Sequence, residues 1–262
     1  MFHYFSEKKY DQIVKDYINQ QTTYQFIEMI GLGSYGVAYL IEDAITKEKF
    51  VLKRMKAKHT QKKKLRKKFS QEISMLREID LSNVPSVLFC GEIEKIPFYI
   101  MEYVDGQTFE KAIFNNGMHF SIDRSLHITK ELLEIVLKIH KKGIVHRDLR
   151  IPNILLKDDQ LYIIDFGLST YMKDVRLEEI NNPKRAENYI SDLYFIGHFL
   201  LFLLYSNFTP TKKKERSWQE ELELPPPITE FIERLLLIRS PFNSTEDALL
   251  SIPLKSISQV HE

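Results

Sequence analysis

The sequence predicts an α+β chain, rich in short strands at first and mostly helical afterwards. Short apolar runs at Phe26 to Ile30, Val37 to Ile41, Phe50 to Leu52, Val84 to Glu94 and Pro97 to Tyr103 have the length and flanking residues of strands. Residues 121 to 142 then place Ile122, Leu126, Leu132, Leu133, Val136 and Ile139 at helical spacing, with Gly143 where a C-terminal cap is expected. At 262 residues the chain suffices for one large domain or two closely joined lobes with a real core.

Ahead of the strands, Tyr10, Ile13, Val14, Tyr17 and Ile18 form the apolar stripe of an amphipathic helix over residues 7 to 19. Its stripe is expected to pack on the domain that follows, and residues 20 to 23 read as a linker. Composition narrows the functional classes. The hydrophobic share is 44% and the net charge +1, so no global field points to nucleic acid, which is disfavoured as a partner. A single cysteine, Cys90, excludes an intramolecular disulfide framework and suits a reducing compartment. The amino terminus lacks the apolar core of a secretory signal, and the Leu- and Phe-rich run Phe195 to Tyr205 is too short for a bilayer. A soluble, cytoplasmic protein without a membrane partner is expected.

Gly31, Gly33 and Gly36 punctuate the first two strands at a spacing that lets backbone N–H groups approach phosphate oxygens. Val37 to Ile41 reads as strand, which separates this loop from the dinucleotide-binding fingerprint, where a helix must follow the glycines. The next strand ends in Lys53. A basic stretch without an acid, Lys56 to Lys68, leads into a helix with one apolar stripe through Phe69, Ile73, Leu76 and Ile79. Glu72 shares the inward edge of that stripe and needs a partner, for which Lys53 is the candidate. The basic stretch reads as a solvated helix face, with docking of an acidic partner as the alternative.

The densest chemistry lies at His146-Arg147-Asp148-Leu149-Arg150-Ile151-Pro152-Asn153 and Asp165-Phe166-Gly167. Between them, two apolar runs flank Lys157-Asp158-Asp159-Gln160, the pattern of a tight β-hairpin. A turn centred on Asp158-Asp159 puts Lys157 opposite Gln160 and Asn153 opposite Ile164, so Asn153 and Asp165 emerge together at the open end. Two hard oxygen ligands side by side suit Mg²⁺. Asp148, on the loop entering the hairpin, could accept a proton from an attacking hydroxyl.

At these residues the chain resembles the eukaryotic-type (Hanks-type) serine/threonine protein kinases, in a compact form similar to soluble bacterial members. The resemblance spans roughly residues 25 to 252 and implies a bilobal fold: a helix and linker at 1–24, a small β-rich lobe at 25–101 and a larger, mostly helical lobe at 102–262. It implies ATP and Mg²⁺, or Mn²⁺, as cofactors and a protein substrate as partner. By the match Asp148 is the catalytic carboxylate, Asn153 and Asp165 hold the metal, and Lys53 holds the nucleotide phosphates, steadied by Glu72. Ala38, Val51 and Leu155 would line the adenine slot, Met101 would guard its back, and the backbone of Glu102 and Val104 would bond the base. Ala38 and Val51 exchange the sizes usual at those two positions, which preserves the volume of the slot.

The departures are informative. Arg150 stands where serine/threonine kinases usually have lysine, and can clamp a transferring phosphoryl group. The Ala-Pro-Glu triplet that anchors the substrate platform is missing, as is its partner arginine, whose place Asn243 takes. A shortened activation segment follows. Arg147 resembles the arginine that pairs with a phosphate on that segment, yet no Ser, Thr or Tyr lies between Met172 and Asn188. Glu178 and Glu179 are the candidates for permanent negative charge. The reading is an ATP-dependent protein kinase acting on Ser/Thr hydroxyls; the alternatives are a kinase of a non-protein acceptor and a pseudokinase scaffold.

Overall fold

The computed structural model describes residues 2–33, 35–209 and 216–254. Ser34, within the expected phosphate loop, lies outside the described residues, as does the end of the expected larger lobe, 255–262. The chain divides into two compact units, residues 1–105 and 106–262.

The first unit is an antiparallel five-stranded sheet with a helix on each face. Its strands are β1 (Tyr24–Leu32), β2 (Gly36–Asp43), β3 (Lys49–Met55), β4 (Val87–Ile93) and β5 (Ile96–Glu102), in the order β1-β2-β3-β5-β4. One face carries Val37, Tyr39, Ile41, Phe50, Leu52, Phe98 and Ile100, which form a single core with Val14 and Ile18 of the first helix, α1 (Phe2–Gln21). Burying each of those two α1 side chains stabilises the unit by about 1.5–3 kcal/mol. Half of the expected linker is helix: α1 runs to Gln21, and the Thr22 hydroxyl donates to the Ile18 carbonyl at 2.6 Å.

On the other face lies α2 (Lys63–Ile79), burying Phe69, Glu72, Met75, Leu76 and Ile79. The basic stretch does not enter this helix whole. Ala57–His59 form a 3₁₀ turn and Lys62 is extended, so α2 starts with no side-chain cap and no acid in its first turn. A cluster of like charges at a helix amino terminus opposes the dipole, which fits a late start.

The second unit is built on two long helices, α3 (Ile122–Lys141) and α4 (Tyr189–Tyr205), with the shorter α5 (Trp218–Glu221), α6 (Pro226–Leu235) and α7 (Thr245–Leu250). Ser121 caps α3 by accepting from the Arg124 amide, and Gly143 follows its end at φ 72°. The Leu- and Phe-rich run expected to be a core helix is the buried body of α4. No helix among the described residues is long and apolar enough to cross a membrane. Small sheets complete the unit: β6 (Gln107–Thr108) pairs with β8 (Ile154–Lys157), which pairs with β9 (Gln160–Ile163), while β7 (Ile144–Val145) pairs with β10 (Thr170–Tyr171).

Asp192, fully buried on α4, ties these pieces together. It accepts backbone N–H groups of His146 at 2.8 Å and Arg147 at 2.6 Å, and the ring of His140 on α3 at 2.8 Å. His140 reaches on to the Thr245 hydroxyl of α7 at 2.6 Å. Burial opposes ionisation, but the His140 bond and the surrounding donors hold the Asp192 carboxyl below its ordinary value.

Two predictions follow from this packing. A Cβ on Gly197 would come within 2.9 Å of Leu236 Cδ2 and 3.0 Å of Leu235 Cβ. Gly197→Val should therefore cost about 1–3 kcal/mol by overpacking, a fall of roughly 2–10 °C in Tm by calorimetry. His146 is wholly buried, and burial pushes its pKa below 6.5 against the pull of Asp192, Asp148 and Asp165. The folded state thus holds His146 neutral while the unfolded chain protonates it near that value. Stability is complete above about pH 6.5 and is lost as pH falls below it. Tm should drop between pH 7 and 5, and less steeply in His146→Gln; equal slopes would remove His146 from the account.

Candidate active site

In the first unit, strand pairing sorts the residues by face. Gly31 pairs with Ala38, Ala38 with Lys53 and Lys53 with Tyr99; two residues along, Val51 pairs with Met101. Cross-strand partners point the same way and alternate residues share a face. Gly31, Gly36, Ala38, Val51, Lys53 and Met101 therefore lie on one face, the one opposite α1. At Gly36 an added Cβ would approach the Arg54 carbonyl oxygen to 2.9 Å, so only glycine lets β2 run this close to β3.

Lys53 Nζ lies 2.6 Å from Glu72 Oε1, with side chains only 12% and 5% exposed. A pair this desolvated is costly to break, because its two charges are largely shielded from water. The structure adds a residue that the sequence reading passed over. Tyr99, directly across from Lys53, donates its hydroxyl to the same Glu72 oxygen at 3.0 Å and packs its ring on Phe69. Its place opposite Lys53 in the β3–β5 register was the available signal. At the end of β5 the Glu102 amide donates to the Ser86 carbonyl at 3.1 Å, so that N–H is already engaged. Val104 follows just after this strand.

In the second unit the hairpin has the register read from the sequence. Lys157 pairs with Gln160, Asp158 and Asp159 take positive φ as a two-residue turn requires, and the Ile164 amide donates to the Asn153 carbonyl at 3.0 Å. Asn153 and Asp165 thus leave the hairpin on neighbouring strands. Leu155, buried on β8, sits across from Thr108.

The preceding loop alternates inward and outward. Leu149 and Ile151 enter the core, while Asp148 and Arg150 meet each other. Arg150 Nε donates to Asp148 Oδ1 at 2.5 Å and Nη2 to Oδ2 at 3.1 Å, a fork-on-carboxylate pair. Asn153 Nδ2 donates to both the Asp148 carbonyl and Oδ2 at 2.9 Å. Its amide nitrogen is thereby committed, which leaves the amide oxygen as a hard donor on the strand next to the one that Asp165 follows. A divalent cation of the Mg²⁺ type, completed by phosphate oxygens and water, fits that donor set. His146 accepts from the Asp148 amide at Nδ1 and faces the Ile164 carbonyl with Nε2, joining loop and hairpin through one neutral ring.

After Asp165, at φ 61°, the chain passes Ser169, itself buried with its hydroxyl on the His146 carbonyl. Here one expectation needs correcting. Glu178 and Glu179 lie exposed on a 3₁₀ turn. The acid brought to Arg147 is Glu187, because the Lys173 amide bonds the Glu187 carbonyl at 2.7 Å and closes the segment on itself. Glu187 is 2.5 Å from Lys173 Nζ and 3.9 Å from Arg147 Nη1, and Arg147 Nη2 donates to the Arg185 carbonyl at 2.9 Å.

Comparison with known proteins meets this geometry. The family described as protein kinase domain matches residues 24–195. The probable serine/threonine-protein kinase YbdM of Bacillus subtilis is 33% identical over 236 residues, 90% of each chain. The serine/threonine-protein kinase PrkC of the same organism is 27% identical over 69% of this chain and 30% of its own length. Calcium-dependent protein kinase 4 of Plasmodium falciparum is 29% identical over 70% of this chain and 34% of its own. With a phosphate-loop hairpin, a buried Lys–Glu pair and a catalytic loop in the family's order, this chain belongs to the protein kinase family, as a Hanks-type serine/threonine kinase.

Proposed function

We propose that this kinase transfers the γ-phosphate of ATP to Ser or Thr hydroxyls of protein substrates with Asp148 as the residue that receives the acceptor hydroxyl. The observation that carries the assignment is the fixed state of that carboxylate. An ionised carboxylate offers about four lone-pair sites. Three donors occupy it here: Arg150 Nε, Arg150 Nη2 and Asn153 Nδ2. One direction is left, and a hydroxyl held there is aimed by a carboxylate that three donors orient. Positioning of this kind supplies a large share of phosphoryl-transfer catalysis.

The other roles follow from charge. Lys53, held by Glu72 and Tyr99, fixes the phosphates of ATP, beneath a loop whose Gly31, Gly33 and Gly36 admit them to the backbone. Arg150 spends one edge of its guanidinium on Asp148 and keeps over half of its side chain exposed, so it can neutralise charge on the transferring group. Asn153 and Asp165 hold Mg²⁺, with Mn²⁺ as a substitute; the metal offsets phosphate charge. Ala38, Val51 and Leu155 supply apolar contact to adenine, and the Glu102 carbonyl and Val104 amide its hydrogen bonds.

The activation segment supports a kinase that is active as synthesised. Glu187 gives Arg147 and Lys173 a carboxylate in the place where a phosphate would otherwise be recruited. The exposed lysines between Lys56 and Lys68 suit an acidic segment of a protein substrate, an attraction that salt should weaken.

Transfer of labelled γ-phosphate tests these assignments. Asp148→Asn should fall about 10²- to 10⁴-fold while still binding ATP, and label on the wild type should reside on Ser or Thr. Retention of full transfer by Asp148→Asn would refute the role. Wild-type protein treated with phosphatase should keep its activity, and Glu187→Gln should lower turnover. Loss of activity on phosphatase treatment would show instead that a phosphate is required.

A further inference from the structure

The helix α1 precedes residue 24, where the match to the kinase family begins, yet it is built into the same unit as Lys53. Its contact with the sheet is more than an apolar stripe. Arg54, the residue after Lys53 on β3, points to the opposite face and has no exposed side-chain surface. Its Nη1 donates to Glu7 Oε2 at 2.8 Å and to the Met55 carbonyl at 3.2 Å, and its Nη2 to Asp11 Oδ1 at 2.6 Å. Its Nε donates to the Tyr39 hydroxyl at 2.7 Å, which in turn donates to Asp11 Oδ1 at 2.5 Å. Glu7, Asp11, Val14 and Ile18 are spaced as one helical face, charged at one end and apolar at the other. Burial pushes the Tyr39 hydroxyl well above its ordinary range, so it stays a donor.

A guanidinium wholly removed from water depends on its carboxylates, since an unpaired buried charge is strongly unfavourable. Both carboxylates come from α1. Undocking the helix would strip Arg54 of both carboxylates and open that face of β3 to water, releasing the strand from the contacts that fix it on that side. The adjacent residue along that strand is Lys53, held on the other face by Glu72. Asn19 of α1 also accepts from the Phe26 amide at 2.9 Å, fixing the strand that enters the glycine loop.

We propose that α1 is an intrinsic clasp for the ATP-binding strand: Glu7 and Asp11, acting through Arg54, are positioning residues that hold β3 where Lys53 can bind phosphate. The proposal rests on the reading of Lys53 as the phosphate-holding residue. It makes docking of α1 and binding of nucleotide mutually reinforcing, because coupling between two binding events is reciprocal.

Two measurements on the full chain test it. In wild type, adding ADP with Mg²⁺ should slow amide hydrogen exchange in residues 7–18, though α1 lies on the face away from Lys53. In Glu7→Gln/Asp11→Asn, the KM for ATP should rise about tenfold, as for a coupling of ordinary size, with the KM for the protein acceptor unchanged. Replacing all three groups by apolar residues, Glu7→Leu/Asp11→Leu/Arg54→Met, should restore docking without charge and return the KM for ATP toward wild type. Unchanged exchange in α1 on ADP binding, or a folded double variant with a wild-type KM for ATP, would overturn the clasp and leave α1 as a cover for the sheet. Should the double variant fail to fold, the exchange experiment decides alone. Lys53→Met separates the underlying reading: if it leaves ATP binding and transfer unaltered, the role of Lys53 fails, whatever α1 does.

Discussion

The loop that carries Asp148 is shaped by a buried carboxylate of the helix behind it. Two successive backbone N–H groups, those of His146 and Arg147, converge on the oxygens of Asp192. Arg147 sits at φ 67°, a conformation that costs a non-glycine residue about 1–3 kcal/mol and persists only where its surroundings impose it. Asp192 imposes it from within α4, and the His140 ring from α3 bonds the same carboxylate. The direction in which Asp148 leaves the loop is thus a property of the packed helices. The loop's own sequence could take many other paths.

The sheet of the first unit meets the same requirement by a different device. A β-strand offers alternate residues to opposite faces, and β3 uses two neighbours, Lys53 and Arg54, to place a cation on each. Each is desolvated and each is met by carboxylates from a helix, Glu72 of α2 on one side and Glu7 and Asp11 of α1 on the other. Neither helix can shift along the strand without drawing a carboxylate away from its cation. Apolar packing sets how strongly the helices adhere, and the ion pairs set where they adhere.

What could be read from the sequence was local or periodic. The hairpin register followed from two apolar runs and a two-residue turn, and the inward edge for Glu72 from one helical stripe. The face shared by Gly36, Ala38, Val51 and Lys53 follows from strand alternation once the strands are paired. Pairings between distant residues with no periodic signature stayed hidden. Arg54 reads as one more cation after Lys53, and Glu7 and Asp11 as the polar side of an amphipathic helix; only the fold shows three such residues buried together. Glu187 was passed over in favour of Glu178 and Glu179 for a similar reason. Which acid reaches Arg147 depends on the backbone bond between Lys173 and Glu187, which nothing in the local sequence marks.

The missing Ala-Pro-Glu anchor acquires a physical sense from that bond. A glutamate at this point anchored to an arginine near residue 243 would close a loop about four times longer than the link from 173 to 187, an extra entropic cost of about 1 kcal/mol. The long anchor also needs both charges, and this chain has Asn243 in the second place. Asn243 instead donates its amide to Asp247 at 2.9 Å, while Arg234 stacks on Phe242 and lies 3.7 Å from the same carboxylate. Asp247 thus takes both Asn243 and Arg234 as partners. Glu187 already meets Lys173 and Arg147, so it needs no arginine at position 243.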